Sequence, residues 1–231
     1  MIQQVFQDFL SYVKKPAPFI KEDKSTVFYN QLFPLVIIGL CFSFGSVLLV
    51  STLENLHLIK HLPDFKLFDL KEKKVLLFFM VTVFAPILEE TIFRYQLKNI
   101  YLAIFAYGIL ASVLIYKLFT GTTFFMLTLL VAIIITLIII TYTKNKRVQY
   151  RFVKRVFPIH FYLTAICFGL VHITNYSNPL AYGISIVLLV LPQLFLGFIL
   201  GYVRMRFGLS KSMMMHAAYN LIPALALLAG Y

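Results

Sequence analysis

From Thr122 to Tyr142 the chain runs for 21 residues without one acidic or basic side chain. A helix of about 20 apolar residues crosses the roughly 30 Å hydrocarbon core of a bilayer. In that medium a segment must satisfy its peptide groups internally, so a run of this kind predicts a helix. Comparable runs recur along the whole chain, and 61% of its 231 residues are hydrophobic. A soluble domain is closer to half apolar and has no place to hide so much apolar surface.

The apolar runs predict seven spans, near Leu32 to Leu53, Val75 to Leu97, Ile100 to Phe119, Thr122 to Tyr142, Phe157 to Tyr176, Leu180 to Tyr202 and Ser212 to Leu228. The expected fold class is therefore all-α, a polytopic membrane helix bundle. Ahead of the spans, Ile2, Val5, Phe6, Phe9, Leu10 and Val13 recur at helical spacing, interrupted by Gln3, Gln4, Gln7 and Asp8. No signal-peptide pattern is read there. The spacing predicts a short amphipathic helix lying on the membrane or docking on protein. Residues 1–30 are thus expected to form an interfacial segment and residues 31–231 the transmembrane core.

The net charge of +12 is spread over the loops, not along one face, which is how topology signals are placed and not how a nucleic-acid surface is built. The stretches 14–24, 94–98, 144–155 and 204–211 hold fifteen of the 21 Lys and Arg, and the opposite side keeps Lys60, Lys66, Lys71, Lys73, Lys74 and Lys117. That asymmetry predicts a multi-pass protein with its N-terminus inside, and a bacterial cytoplasmic membrane is the expected location. Cys41 and Cys167 each sit within an apolar run, so neither a disulfide framework nor a cysteine zinc site is indicated.

After Glu90 there is no further carboxylate, and Glu89 and Glu90 are the two acids that fall inside a span. A charge there is costly enough to suggest a function. On a helix Glu90 and Arg94 share a face, whereas Glu89 projects about 100° away. Arg94 can pair with Glu90 and leave Glu89 without a cation, the setting of a general base or acid. The plainer alternative is that both glutamates brace Arg94. His172 and His216 also lie in apolar surroundings, with Phe168 four residues before the first and Asn220 four residues after the second. A lone intramembrane His more often packs helices than it catalyses. His57, His61 and His160 receive no role.

Glu89-Glu90-Thr91-Ile92-Phe93-Arg94, Phe168-Gly169-Leu170-Val171-His172 and His216-Ala217-Ala218-Tyr219-Asn220 resemble, in order, the EExxxR, FxxxH and HxxxN motifs of the CAAX protease and bacteriocin-processing family. That family of intramembrane proteases, also called Abi or CPBP proteins, includes the Ras-converting CAAX endoprotease of the endoplasmic reticulum. The resemblance covers roughly Val81 to Ala224, and the stretch between Arg94 and Phe168 is longer than the family pattern leads one to expect.

The resemblance implies a glutamate-dependent endopeptidase without a metal, acting on a peptide or membrane-protein substrate. Glu89 with His172 would activate a water, His216 and Asn220 would stabilise the oxyanion, and Glu90 and Arg94 would orient Glu89. Phe168 belongs to the same supporting set. A zinc enzyme ligated by His172, His216 and Glu89 is the first alternative. Two others are a non-proteolytic scaffold or bacteriocin-immunity protein and a proton relay or transporter. The protease reading requires Glu89, His172, His216 and Asn220 to converge within roughly 10 Å. With the N-terminus inside, they are expected in a water-filled cavity below the inner surface.

Overall fold

The computed structural model describes residues 1–23, 25–63, 73–108, 122–176 and 179–229. Lys24, Lys66, Lys71 and Lys117, the acids Asp64, Asp69 and Glu72, and residues 109–119 of the third expected span lie outside them. The described chain is mainly helical: α1 (Ile2–Lys14), α2 (Ser25–Asn55), α3 (Lys74–Lys98), α4 (100–108), α5 (Thr122–Tyr142), α6 (Lys146–Val171), α7 (Ile186–Leu189), α8 (Leu191–Phe207) and α9 (Leu209–Ala229). Five segments are long and apolar enough to cross a membrane, namely α2, α3, Phe125–Tyr142 within α5, Lys146–Asn175 and α9. The polytopic all-α architecture is as expected.

The sixth expected span is not one helix. A 3-10 segment, Pro179–Ser185, contains Gly183 at φ +54°, and the chain then turns through α7 and bends again at Val190 before α8. Gly183 adopts a left-handed conformation that other residues resist. Pro192 supplies no N–H to the preceding turn, so the helix restarts there instead of running through. The apolar composition continues across both breaks, which is why the sequence reads as one span.

At the centre of the bundle α8 packs on α6, α2 and α9. Glycines let the helices approach: a Cβ at Gly197 would stand 2.9 Å from the Ala165 carbonyl oxygen, and one at Gly201 would meet the Phe161 ring at 2.7 Å. Ile199, Leu200, Val203 and Met205 are fully buried on this axis. The apolar face of α1 turns onto the same core, with Val5, Phe9 and Tyr12 buried and the Phe9 ring edge-on to Phe195 and Tyr202.

Candidate active site

Helices α3, α6 and α9 bring the sequence-predicted residues to one place. Oε2 of Glu89 lies 3.8 Å from Nε2 of His172 and 3.8 Å from Nε2 of His216. These distances are ion-pair range, too long for direct hydrogen bonds. Oε2 of Glu89 is buried and has no hydrogen-bond partner, although the side chain as a whole is 25% exposed. Glu90, one residue on, is wholly buried.

The two rings are fixed from behind. Nδ1–H of His172 donates to the Phe168 carbonyl oxygen at 2.7 Å, one turn back on α6. Nδ1–H of His216 donates to Oε1 of Glu90 at 3.1 Å. A carbonyl oxygen and a carboxylate only accept, so both Nδ1 atoms carry the proton. In its neutral form each ring therefore turns a bare Nε2 toward Glu89.

Glu90 was expected to orient Glu89. Instead it holds His216, receives the Ser212 hydroxyl, and faces Nη1 of Arg94 at 3.6 Å. The i, i+4 spacing foresaw the Arg94 contact; the Ser212 and His216 contacts come from 122 and 126 residues away in sequence, which spacing alone does not disclose. Arg94 is fully buried, donates from Nη2 to the Gly197 carbonyl at 3.2 Å, and lies over the Phe168 ring with its guanidinium carbon 3.9 Å from the centroid. Phe168 in turn sets its edge against His172 and His216, at centroid separations of 4.9 and 5.7 Å. A Cβ at Gly197 would meet that ring at 3.3 Å, so the glycine makes room for it.

Asn220 sits one turn beyond His216, and its amide donates to the Val81 carbonyl oxygen at 2.9 Å. His160 is buried between Tyr107 and the Gln96 carbonyl, a packing histidine.

Glu89, His172, His216 and Asn220 line a cavity of about 700 Å³. Its other walls come from Ser43, Ser46 and Glu54 of α2, Met80 and Val81 of α3, Tyr176, Gln193 of α8, and Tyr219 and Pro223 of α9. The cavity thus runs from the glutamate toward the end of α2 and the C-terminal half of α9. That is the end opposite the basic loops. The stack of Arg94, Phe168 and Glu90, all fully buried, closes the other direction. Sequence reading missed Ser212, Ser43, Tyr219 and Gln193 because serine, tyrosine and glutamine in an apolar run carry no signal of their own.

Fold and site together define a polytopic membrane protein with a carboxylate and two histidines at the blind end of an intramembrane cavity. Residues 146–222, about a third of the chain, match the family of type II CAAX prenyl endopeptidase Rce1-like proteins. Over that segment the chain is similar to CAAX-protease-type endopeptidases. The matched segment contains Phe168, His172, His216 and Asn220 but begins after Glu89, and the structure places that glutamate against both histidines. No curated protein and no solved structure matches the chain.

Proposed function

We propose that the protein is an intramembrane endopeptidase that uses Glu89 to activate water against a peptide bond in a membrane-associated substrate. The observation that carries this reading is the meeting of Oε2 of Glu89 with two histidine Nε2 atoms at the floor of a cavity otherwise walled by apolar helices. The family likeness of residues 146–222 supports the same class of chemistry.

A water held between Glu89 and His172 has a carboxylate oxygen and a bare ring nitrogen to receive its two hydrogens. Glu89 takes a proton as the water oxygen bonds to the scissile carbonyl carbon, and the carbonyl π pair moves onto its oxygen. Nε2 of His216, when it carries a proton, reaches that oxyanion. The ring is then a cation whose opposite edge faces the Glu90 carboxylate, so the charge is balanced within the site. Collapse breaks the C–N bond, and the proton on Glu89 passes to the departing nitrogen. The second water proton stays on the acyl product until the bare Nε2 of His172 takes it, so the products are one carboxylate and one amine, with that proton on the ring.

The basic loops argue for an N-terminus on the cytoplasmic side of the membrane. With that orientation the cavity faces the outer half of the bilayer, and the substrate segment enters from there. The test is a comparison of membrane proteomes from cells carrying wild-type protein and the Glu89→Ala variant: the endopeptidase reading expects peptides with new termini in the first that are missing from the second, and indistinguishable proteomes at full expression of both would overturn it.

A further inference from the structure

Asn220 does something for the fold that an oxyanion donor would not need to do, and α3 explains what. This helix is α-helical over Lys74–Phe79, π-helical over Met80–Phe84, and α-helical again over Ala85–Phe93. The N–H of Ala85 donates to the carbonyl of Met80, five residues back. In that register the Val81 carbonyl would be served by residue 86, which is proline and has no N–H. The α-register donor is Ala85, already committed to Met80. The helix therefore leaves the Val81 carbonyl without a main-chain donor, in a setting where a stranded acceptor is costly. The side-chain amide of Asn220, reaching across from α9, fills the position. Within the π segment Thr82 donates from its hydroxyl to the Phe78 carbonyl at 2.7 Å.

The bulge decides where the glutamates point. Up to Glu90 the residues α3 buries are Leu77, Thr82, Pro86 and Glu90, so over this part the buried stripe advances by five residues and then twice by four. One extra residue in the bulge turns everything after it by about 100° relative to what precedes it. With α3 unbroken and its first turns held in place against α9, Glu90 would rotate off Ser212 and His216, and Glu89 would leave the two Nε2 atoms. The same helix that carries His216 also holds the bulge, one turn further along.

We infer that Asn220 is a positioning residue, which clamps the π-bulge of α3 through the Val81 carbonyl and so sets Glu89 and Glu90 in register with His216. The effect on catalysis rests on the endopeptidase reading; the clamp itself does not. The experiment uses the full-length protein in nanodiscs as wild type, Asn220→Ala, Pro86→Ala and the double variant, because Pro86→Ala returns to the helix the N–H that Val81 lacks. Two quantities are read: cleavage rate on a substrate from the proteome comparison, and hydrogen exchange over residues 78–88. Asn220→Ala is expected to speed exchange in that segment and to slow turnover roughly tenfold, the size set by stranding one buried acceptor. The double variant is expected to regain most of both.

Unchanged exchange in Asn220→Ala would overturn the clamp, and so would a double variant whose exchange stays fast. Exchange restored without turnover would overturn the positioning role in favour of direct contact with the reacting carbonyl. Should no form of the protein cleave anything, the endopeptidase reading fails, while exchange still decides the clamp.

Discussion

At the end of the bundle where α8 meets α9, charge is abundant and every described ion pair is tied down. Lys98 meets Glu22 at 2.5 Å, Arg206 meets Asp23 at 2.5 Å, and Arg204 donates from Nε to the Arg94 carbonyl at 3.0 Å. Behind them Leu200, Val203 and Met205 are fully buried. At the other end Ser46, Glu54, Tyr176 and Gln193 line the cavity. Glu90 and Glu89 fall on either side of this divide. Glu90 is closed in by Arg94, Ser212 and His216, whereas Glu89 borders the cavity. Adjacent residues of one type thus receive opposite surroundings, because a helix turns by about 100° per residue and the seal runs between them.

The divide is tested most directly by labelling. In a background with Cys41 and Cys167 replaced, Ser51→Cys stands at the cavity mouth and Arg155→Cys at the basic end, both exposed. A membrane-impermeant maleimide applied to intact cells is expected to label the first and to reach the second only after permeabilisation. The reverse pattern would turn the protein over and place the cavity mouth inside.

Next in size is the contrast between the two acids. Glu89→Gln is expected to lower turnover by at least about a thousandfold, within the range for loss of a general base, with the melting temperature unchanged. Substantial residual activity would remove Glu89 from the chemistry. Glu90→Gln is expected to act on the fold instead, since it leaves Arg94 buried with its carboxylate partner gone. Breaking a buried pair from one side costs about 3–5 kcal/mol, to be seen in denaturant or thermal unfolding in detergent. A Glu90→Gln protein as stable as wild type would mean that the sealed end does not depend on that charge.

Much of this was legible in the sequence for one physical reason: a carboxylate, guanidinium or imidazole within an apolar run is too costly to be incidental, so Glu89, Glu90, Arg94, His172 and His216 drew attention unaided. Spacing supplied the Arg94 contact of Glu90. What stayed hidden depends on partners distant in sequence or on backbone register. Ser212 is an ordinary membrane-helix residue until Glu90 is placed beside it. Pro86 is visible as a proline, yet nothing in the sequence says that a π-bulge precedes it, or that Asn220 serves the carbonyl left without a main-chain donor. Pro192 and Gly183 are equally visible, but the apolar runs around them masked the break between α7 and α8. The direction of the cavity follows from the stack of Arg94 on Phe168, a contact between α3 and α6 that no local pattern encodes.

The smallest effect expected is none at all, on removal of divalent metals. Glu89, His172 and His216 are residue types that ligate zinc, and both rings are backed through Nδ1–H as zinc-binding histidines commonly are. The separations argue otherwise. Two ligands of one tetrahedral zinc, each about 2.0–2.1 Å from the ion, stand roughly 3.3–3.4 Å apart. Oε2 of Glu89 is 3.8 Å from each Nε2, wider than that. A gap of that size instead suits a water donating to the carboxylate and to one ring. Turnover is therefore expected to be the same before and after exhaustive treatment with a strong chelator, measured with metal content followed by mass spectrometry. Loss of activity that returns on adding zinc alone would make Glu89 a ligand, and the open end of the bundle would then be a metal site rather than a glutamate-driven one.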